Sequence, residues 1–168
     1  MPKIIENLES KLIREAGKQI QQAGYGALTV RSVAKACGVG VGTVYNYFPS
    51  KDNLVAAYML EDWNSCMESI RSVSEASDSP EPVIRCIYDQ LLEYAQRQQA
   101  VVQDKAAASA FAGSFTRYHS LLRRQLSEPL EKFCVSQFDA EFIAEALLTW
   151  TMAGTDYPEI FRILSKLF

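Results

Sequence analysis

Between residues 28 and 49 the chain is cut by glycines at 38, 40 and 42 into two segments too short to be anything but small helices held by their neighbours. In the first, Val30, Val33, Ala34 and Cys37 recur at i, i+3, i+4 and i+7, which lines one face of a two-turn helix. Thr29 precedes it as an N-cap, and Gly38 ends it, because glycine takes the left-handed backbone that closes a helix without a Cβ penalty. In the second, residues 41–48, Val44 and Phe48 form the inner edge and leave Thr43, Asn46 and Tyr47 turned outward. Pro49 closes it, since proline disfavours helical backbone in the residue before it. Two short helices joined by a tight glycine turn are the sequence form of a helix-turn-helix. The same form also occurs in three-helix scaffolds that bind no nucleic acid.

The rest of the chain is helical in pattern. Ile5, Leu8, Leu12, Ala16 and Ile20 mark an amphipathic helix over residues 4–23 that stops at Gly24-Tyr25-Gly26. Ser50 caps a long helix through Leu54, Tyr58, Trp63, Met67 and Ile70. Residues 74–82, rich in Ser and Pro, read as a loop between helices. Beyond it the spacing predicts helices near 83–99, 101–113 and 114–137, the last kinked or divided by Pro129, and a final pair near 139–153 and 158–167. No segment alternates as a strand does. The expected class is all-α with about nine helices, divided into an N-terminal head, residues 1–51, and a helical body, residues 52–168.

Composition narrows the chemistry. Hydrophobic residues at 48% and charged residues at 22% are ordinary for a folded, water-soluble protein and argue against disorder. There is no run of about 18 apolar residues and no signal-peptide pattern at the N-terminus, so the cytoplasm is the expected location and a membrane is not an expected partner. Cys37, Cys66, Cys86 and Cys134 form no CxxC pair and read as small apolar residues. The lone His119 has no second histidine to pair with and reads as a partly exposed helix residue. No HExxH, GxSxG, Gly-rich phosphate loop or Glu-x-x-His is present, so neither catalysis, a metal nor a cofactor is expected. The net charge of −3 conceals an asymmetry: residues 1–51 hold seven Lys/Arg against three Asp/Glu, and the remainder ten against seventeen. A basic head on an acidic body suits attraction to phosphate, although four charges also fall within ordinary scatter.

The detail of the head is more specific than its spacing. Gly24 and Thr29 stand in a Gly-x-x-x-x-Thr approach, Ala34, Gly38 and Val39 in an Ala-x-x-x-Gly-Val turn, and residues 42–51 read Gly-Thr-Val-Tyr-Asn-Tyr-Phe-Pro-Ser-Lys. Over roughly the first third of the chain this closely resembles the DNA-binding signature of the TetR family of transcriptional regulators. The resemblance implies a DNA-reading second helix. Val41, Gly42 and Thr43 at its start are candidates for proximity to base edges, with Val41 or the Thr43 methyl suited to a thymine methyl. Bare Gly40 and Gly42 would let backbone approach the duplex, or else serve tight helix packing. Asn46 can pair twice with adenine, and Tyr45 and Tyr47 can donate to phosphate, Tyr45 also being expected to pack its ring inward. Arg31 matches a position that reaches DNA in the family, and is otherwise a solvated arginine. Lys51 opposes the macrodipole in the first turn of its helix, at a cost on the order of 0.3–1 kcal/mol that a DNA phosphate there would offset.

For the body, the resemblance implies a homodimer built on the last two helices, holding two heads about 34–36 Å apart to read a palindromic double-stranded operator. Phe142, Ala146 and Trp150, with Phe161 and Leu164 from the final helix, are the candidate interface; burial within one chain is the other reading. The resemblance also implies a repressor released by a small effector, here of apolar or aromatic character. Trp63, Met67, Ile87, Tyr88, Leu91, Phe111, Phe115, Tyr118 and Leu122 are candidates to line its cavity, and equally fit an ordinary core. A helical adaptor that binds protein alone, without specific DNA binding, is the alternative for the whole chain.

Overall fold

A computed structural model describes residues 7–111 and 115–168, with side chains described outside 112–117. Nine α-helices and no strand occur among these residues, in the order α1 (Leu8–Ala27), α2 (Val30–Cys37), α3 (Val41–Tyr47), α4 (Lys51–Ala76), α5 (Pro80–Val102), α6 (Lys105–Phe111), α7 (Phe115–Ser127), a 3-10 turn (Glu128–Phe133), α8 (Gln137–Met152) and α9 (Tyr157–Leu164). The all-α expectation holds. The beginning of the predicted first helix, Ile5 included, lies outside the described residues.

Local signals place the head's helices. Thr29 and Ser32 form a reciprocal capping box, Ser32 N–H donating to Thr29 Oγ1 at 3.0 Å and Thr29 N–H to Ser32 Oγ at 3.2 Å. Gly38 ends α2 at φ 71°, and Val39 N–H reaches back to the Ala34 carbonyl at 3.0 Å. Gly24, at φ 82°, breaks α1 where the helix was expected to stop, and a last offset turn carries it on to Ala27. Asn53 N–H donates to Ser50 Oγ at 3.1 Å, which starts α4 as expected.

Helices of eight and seven residues, as α2 and α3 are, do not persist alone in water. Burial holds them. Leu12, Ala16 and Ile20 of α1, Val33 of α2, Val44 of α3, and Leu54 and Val55 of α4 are all fully buried in one cluster. Each large side chain so buried contributes about 1.5–3 kcal/mol. Val101 and Ala107, from the end of α5 and from α6, lie in the same cluster. Among the described residues, the first compact unit therefore comprises 7–62 together with 97–111, a partition by packing that is distinct from the expected division of roles after residue 51.

The second unit takes residues 63–96 and 115–168. Its core gathers Trp63, Met67 and Ile70 of α4, Ile84, Ile87 and Leu91 of α5, Leu126 of α7, Ile143 and Leu147 of α8, and Ile160 and Leu164 of α9. The loop expected over 74–82 shrinks to residues 77–79. Ser74 is buried and donates to the Pro129 carbonyl at 2.7 Å, while Lys132 Nζ caps the end of α4 by donating to the carbonyls of Ser74 at 2.5 Å and Ser77 at 2.8 Å. Pro80 and Pro82 sit in the first turn of α5, where a missing N–H costs nothing. Pro129 divides the helix expected over 114–137 by turning it into the 3-10 segment.

Candidate nucleic-acid interface

The polarity of α3 follows from its length. In seven residues only one side chain, Val44, is fully buried, and Phe48 just past the helix fills the space beside it. Gly42, Tyr45, Asn46 and Tyr47 are left exposed, with Val41 and Thr43 half-buried at the rim. Val41 packs against the first core. Tyr45 corrects one expectation: its ring does not pack inward but is 49% exposed, because Val44 and Phe48 already occupy the interior. Tyr47 is 45% exposed, its ring tilted against Phe48. The outer surface of α3 thus carries two phenol hydroxyls and one carboxamide, a set that can bond phosphate oxygens and base edges.

The glycines at the start of α3 have no use inside the chain. Gly40 has ordinary extended backbone at φ −70°, and a Cβ there would meet nothing closer than Thr43 Oγ1 at 3.8 Å. A Cβ on Gly42 would have nothing within 4 Å. Tight packing, the competing reading for both, is therefore not what requires them. A glycine within a helix costs about 1 kcal/mol relative to alanine, so Gly42 leaves α3 less stable than it could be while keeping its outer surface bare. Arg31, the second residue of α2, is exposed.

Lys51 departs from its expected setting. Its ammonium is half-buried, donates to the Tyr25 carbonyl at 2.5 Å and lies 3.9 Å above the centre of the Tyr25 ring. The cation in the first turn of α4 thus finds an acceptor at the end of α1. Burial holds the Lys51 pKa below its ordinary value, with Asp104 and Asp52 pulling it back up. Tyr25 is itself buried and donates its hydroxyl to Asp52 in a short hydrogen bond. Burial first, and then the Asp52 carboxylate, push its pKa up to about 12. Sequence reasoning assigned Tyr25, Asp52 and Asp104 no role. The one available signal was an aromatic residue held between two helix-breaking glycines.

The remaining candidates separate. Trp63, Met67, Ile87, Tyr88 and Leu91 are buried in the second core and Leu122 packs against it, whereas Phe111 packs against the first core and Tyr118 is 50% exposed. Six of the nine expected cavity residues thus lie in or against the second core. The side chain of Phe115 lies outside the described residues. On α8, Phe142 and Trp150 are 51% and 56% exposed, and Ala146 between them is half-buried. Phe138 extends the same stripe one turn earlier at 72% exposure. It was missed because α8 was expected to start at 139; the Ser136–Asp139 capping box starts it at Gln137. Phe161 is half-buried, stacked on Tyr157 with ring centres 5.4 Å apart. Leu164 turns into its own core at 2% exposure, since it follows Ile160 on the inner face, and is not placed to meet a partner. No helix among the described residues is long and apolar enough to cross a membrane.

Residues 12–58 match the family model described as bacterial regulatory proteins, tetR family. The uncharacterized HTH-type transcriptional regulator YuxN of Bacillus subtilis is 30% identical over 90 residues, which are 51% of this chain and 31% of that protein. HTH-type transcriptional regulator BetI of Stenotrophomonas maltophilia is 34% identical over 80 residues, 47% of this chain and 41% of that one. The matched stretches span between 31% and 55% of the curated relatives' own lengths. SCO7518 of Streptomyces coelicolor A3(2) shares the fold, with a TM-score of 0.71 over 94% of this chain and 96% of that one at 14% identity. The TetR family repressor AlkX of a Dietzia strain superposes with a TM-score of 0.63 over 94% and 97% at 19% identity.

Proposed function

We propose that the chain, whose residues 12–58 match the family model of bacterial regulatory proteins of the tetR family, is a transcriptional regulator that reads a palindromic DNA operator as a homodimer. The observation that carries this reading is the outer surface of α3: Asn46, Tyr45 and Tyr47 exposed together beside a glycine that nothing in the chain requires. A side-chain-free helix start allows backbone to approach the duplex, and Asn46 on the next turn suits the N6 and N7 edge of adenine. Tyr45, Tyr47 and Arg31 serve phosphate, which fixes register without reading sequence. Lys51 serves the duplex indirectly, by tying the start of α4 to the end of α1.

The exposed Phe138, Phe142 and Trp150 stripe on α8 supports the second copy, because a solvent-facing aromatic row of this kind gains stability when covered. A small apolar or aromatic effector acting through the second unit belongs to the same reading, as does repression. Release of DNA requires that the effector bind one of two states more tightly, not merely that it bind.

Selection of bound duplexes from a random pool tests the proposal. Enrichment of a palindrome, bound more weakly as salt rises, is the expected result. Failure of a folded protein to enrich any sequence would favour a helical adaptor that uses the α8 stripe for protein alone.

A further inference from the structure

The first unit contains a group of charges that no part of the DNA-reading surface uses. Asp104 stands in the junction between α5 and α6, 79 residues beyond Tyr25 in the chain, yet it is packed into the head. Its Oδ1 accepts from the N–H groups of Ala106 at 2.8 Å and Ala107 at 3.1 Å, which caps α6. Its other oxygen, Oδ2, points to the end of α1: a Cβ on Gly26 would lie 3.5 Å from it. Its charge acts on both Tyr25 and Lys51, and is the foremost influence opposing the loss of charge on the half-buried Lys51 ammonium. Val101 and Ala107, on either side of the junction, are 2% and 1% exposed in the head's core, so the junction is firmly held there.

We propose that Asp104 is a positioning residue for the reading helix: it keeps Lys51 turned in against Tyr25 and so fixes how α3 is presented to DNA. The connection is short. Only Phe48, Pro49 and Ser50 separate the end of α3 from Lys51, so tethering the first turn of α4 to the Tyr25 carbonyl fixes the frame from which α3 projects. An ammonium turned in from solvent is held better beside an opposing charge, and Asp52, the nearer carboxylate in sequence, is engaged by the Tyr25 hydroxyl. Asp104 supplies that charge from a carboxylate held rigid by its bonds to α6.

The inference rests on the DNA-binding reading, and Asp104→Asn tests it, because asparagine caps a helix as well as aspartate and the change removes charge alone. Affinities of the wild type, Asp104→Asn, Lys51→Met and the double variant are measured for the duplex enriched from the random pool and for a scrambled duplex. Asp104→Asn is expected to lower the ratio of the two affinities on the order of tenfold and to cause no further fall once Lys51 is methionine. Partial unfolding lowers binding to both duplexes alike and leaves the ratio unmoved. Loss of a repelling carboxylate raises both alike. Either of those results, an unchanged ratio, or a loss that persists in the Lys51→Met background would overturn the assignment. Failure of the wild type to enrich any duplex would overturn the DNA-binding reading itself, and this inference with it.

Discussion

At the scale of single residues, Gly42 and Gly17 show how the same amino acid serves opposite ends. Gly42 is surrounded by open space, so Gly42→Ala should leave the fold intact and raise stability by up to about 1 kcal/mol, while weakening binding to the enriched duplex. Urea denaturation beside a binding titration separates the two effects; a variant that gains stability and binds as before would remove Gly42 from the interface. Gly17 is buried on α1 where a Cβ would overlap the Tyr58 ring, and Tyr58 is pinned by Gln21 Nε2, which donates to its hydroxyl at 3.2 Å. Gly17→Ala should therefore destabilise despite its gain in helix propensity, since overpacking typically costs about 1–3 kcal/mol. Tyr25 makes the pH prediction. Its folded pKa, about 12, lies above the ordinary value of 10.0, so its contribution to stability is fully present below pH 10 and is lost as pH rises towards 12. Lys51, pushed down by burial, works in the opposite sense over the alkaline range. Tyr25→Phe should accordingly lose less stability than the wild type between pH 10 and 12, and equal alkaline slopes would contradict the burial and Asp52 bond assigned to Tyr25.

At the scale of elements, what was legible depended on how far apart in the chain the deciding groups are. Thr29, Gly38 and Pro49 act on backbone within four residues of themselves, and the bounds of α2 and α3 could be read from them directly. Thr29→Ala should cost about 1 kcal/mol, visible as a lower urea midpoint, because the bond that Ser32 N–H makes to Thr29 Oγ1 is lost. The loop expected at 74–82 was misjudged for the converse reason: the partners that keep Ser74 helical, the Pro129 carbonyl and Lys132, lie more than fifty residues away. The interface follows the same rule. Periodicity was enough to turn Asn46 and Tyr47 outward, but the outward turn of Tyr45 depended on Phe48 filling the interior. The burial of Lys51 depended on Tyr25, 26 residues earlier.

At the scale of the whole molecule, two activities are assigned to two different surfaces, and they can be tested apart. Phe142 and Trp150 lie outside their own core, so Phe142→Asp combined with Trp150→Asp should leave the helical content unchanged while converting a dimer to a monomer in sedimentation. Persistence of the dimer would move the interface off α8. The same substitution should weaken binding to a palindrome far more than binding to a single half-site, because joined heads bind the second half-site as an intramolecular step. The central claim is that α3 reads sequence, and the most direct measurement is the affinity of the wild type and of Asn46→Ala for the enriched and scrambled duplexes across a range of salt concentrations. The account predicts that both affinities fall with salt, that the wild type prefers the enriched duplex by about a thousandfold or more, and that Asn46→Ala reduces this preference at least about fivefold. A wild-type preference near unity, or one that Asn46→Ala leaves untouched, would contradict it.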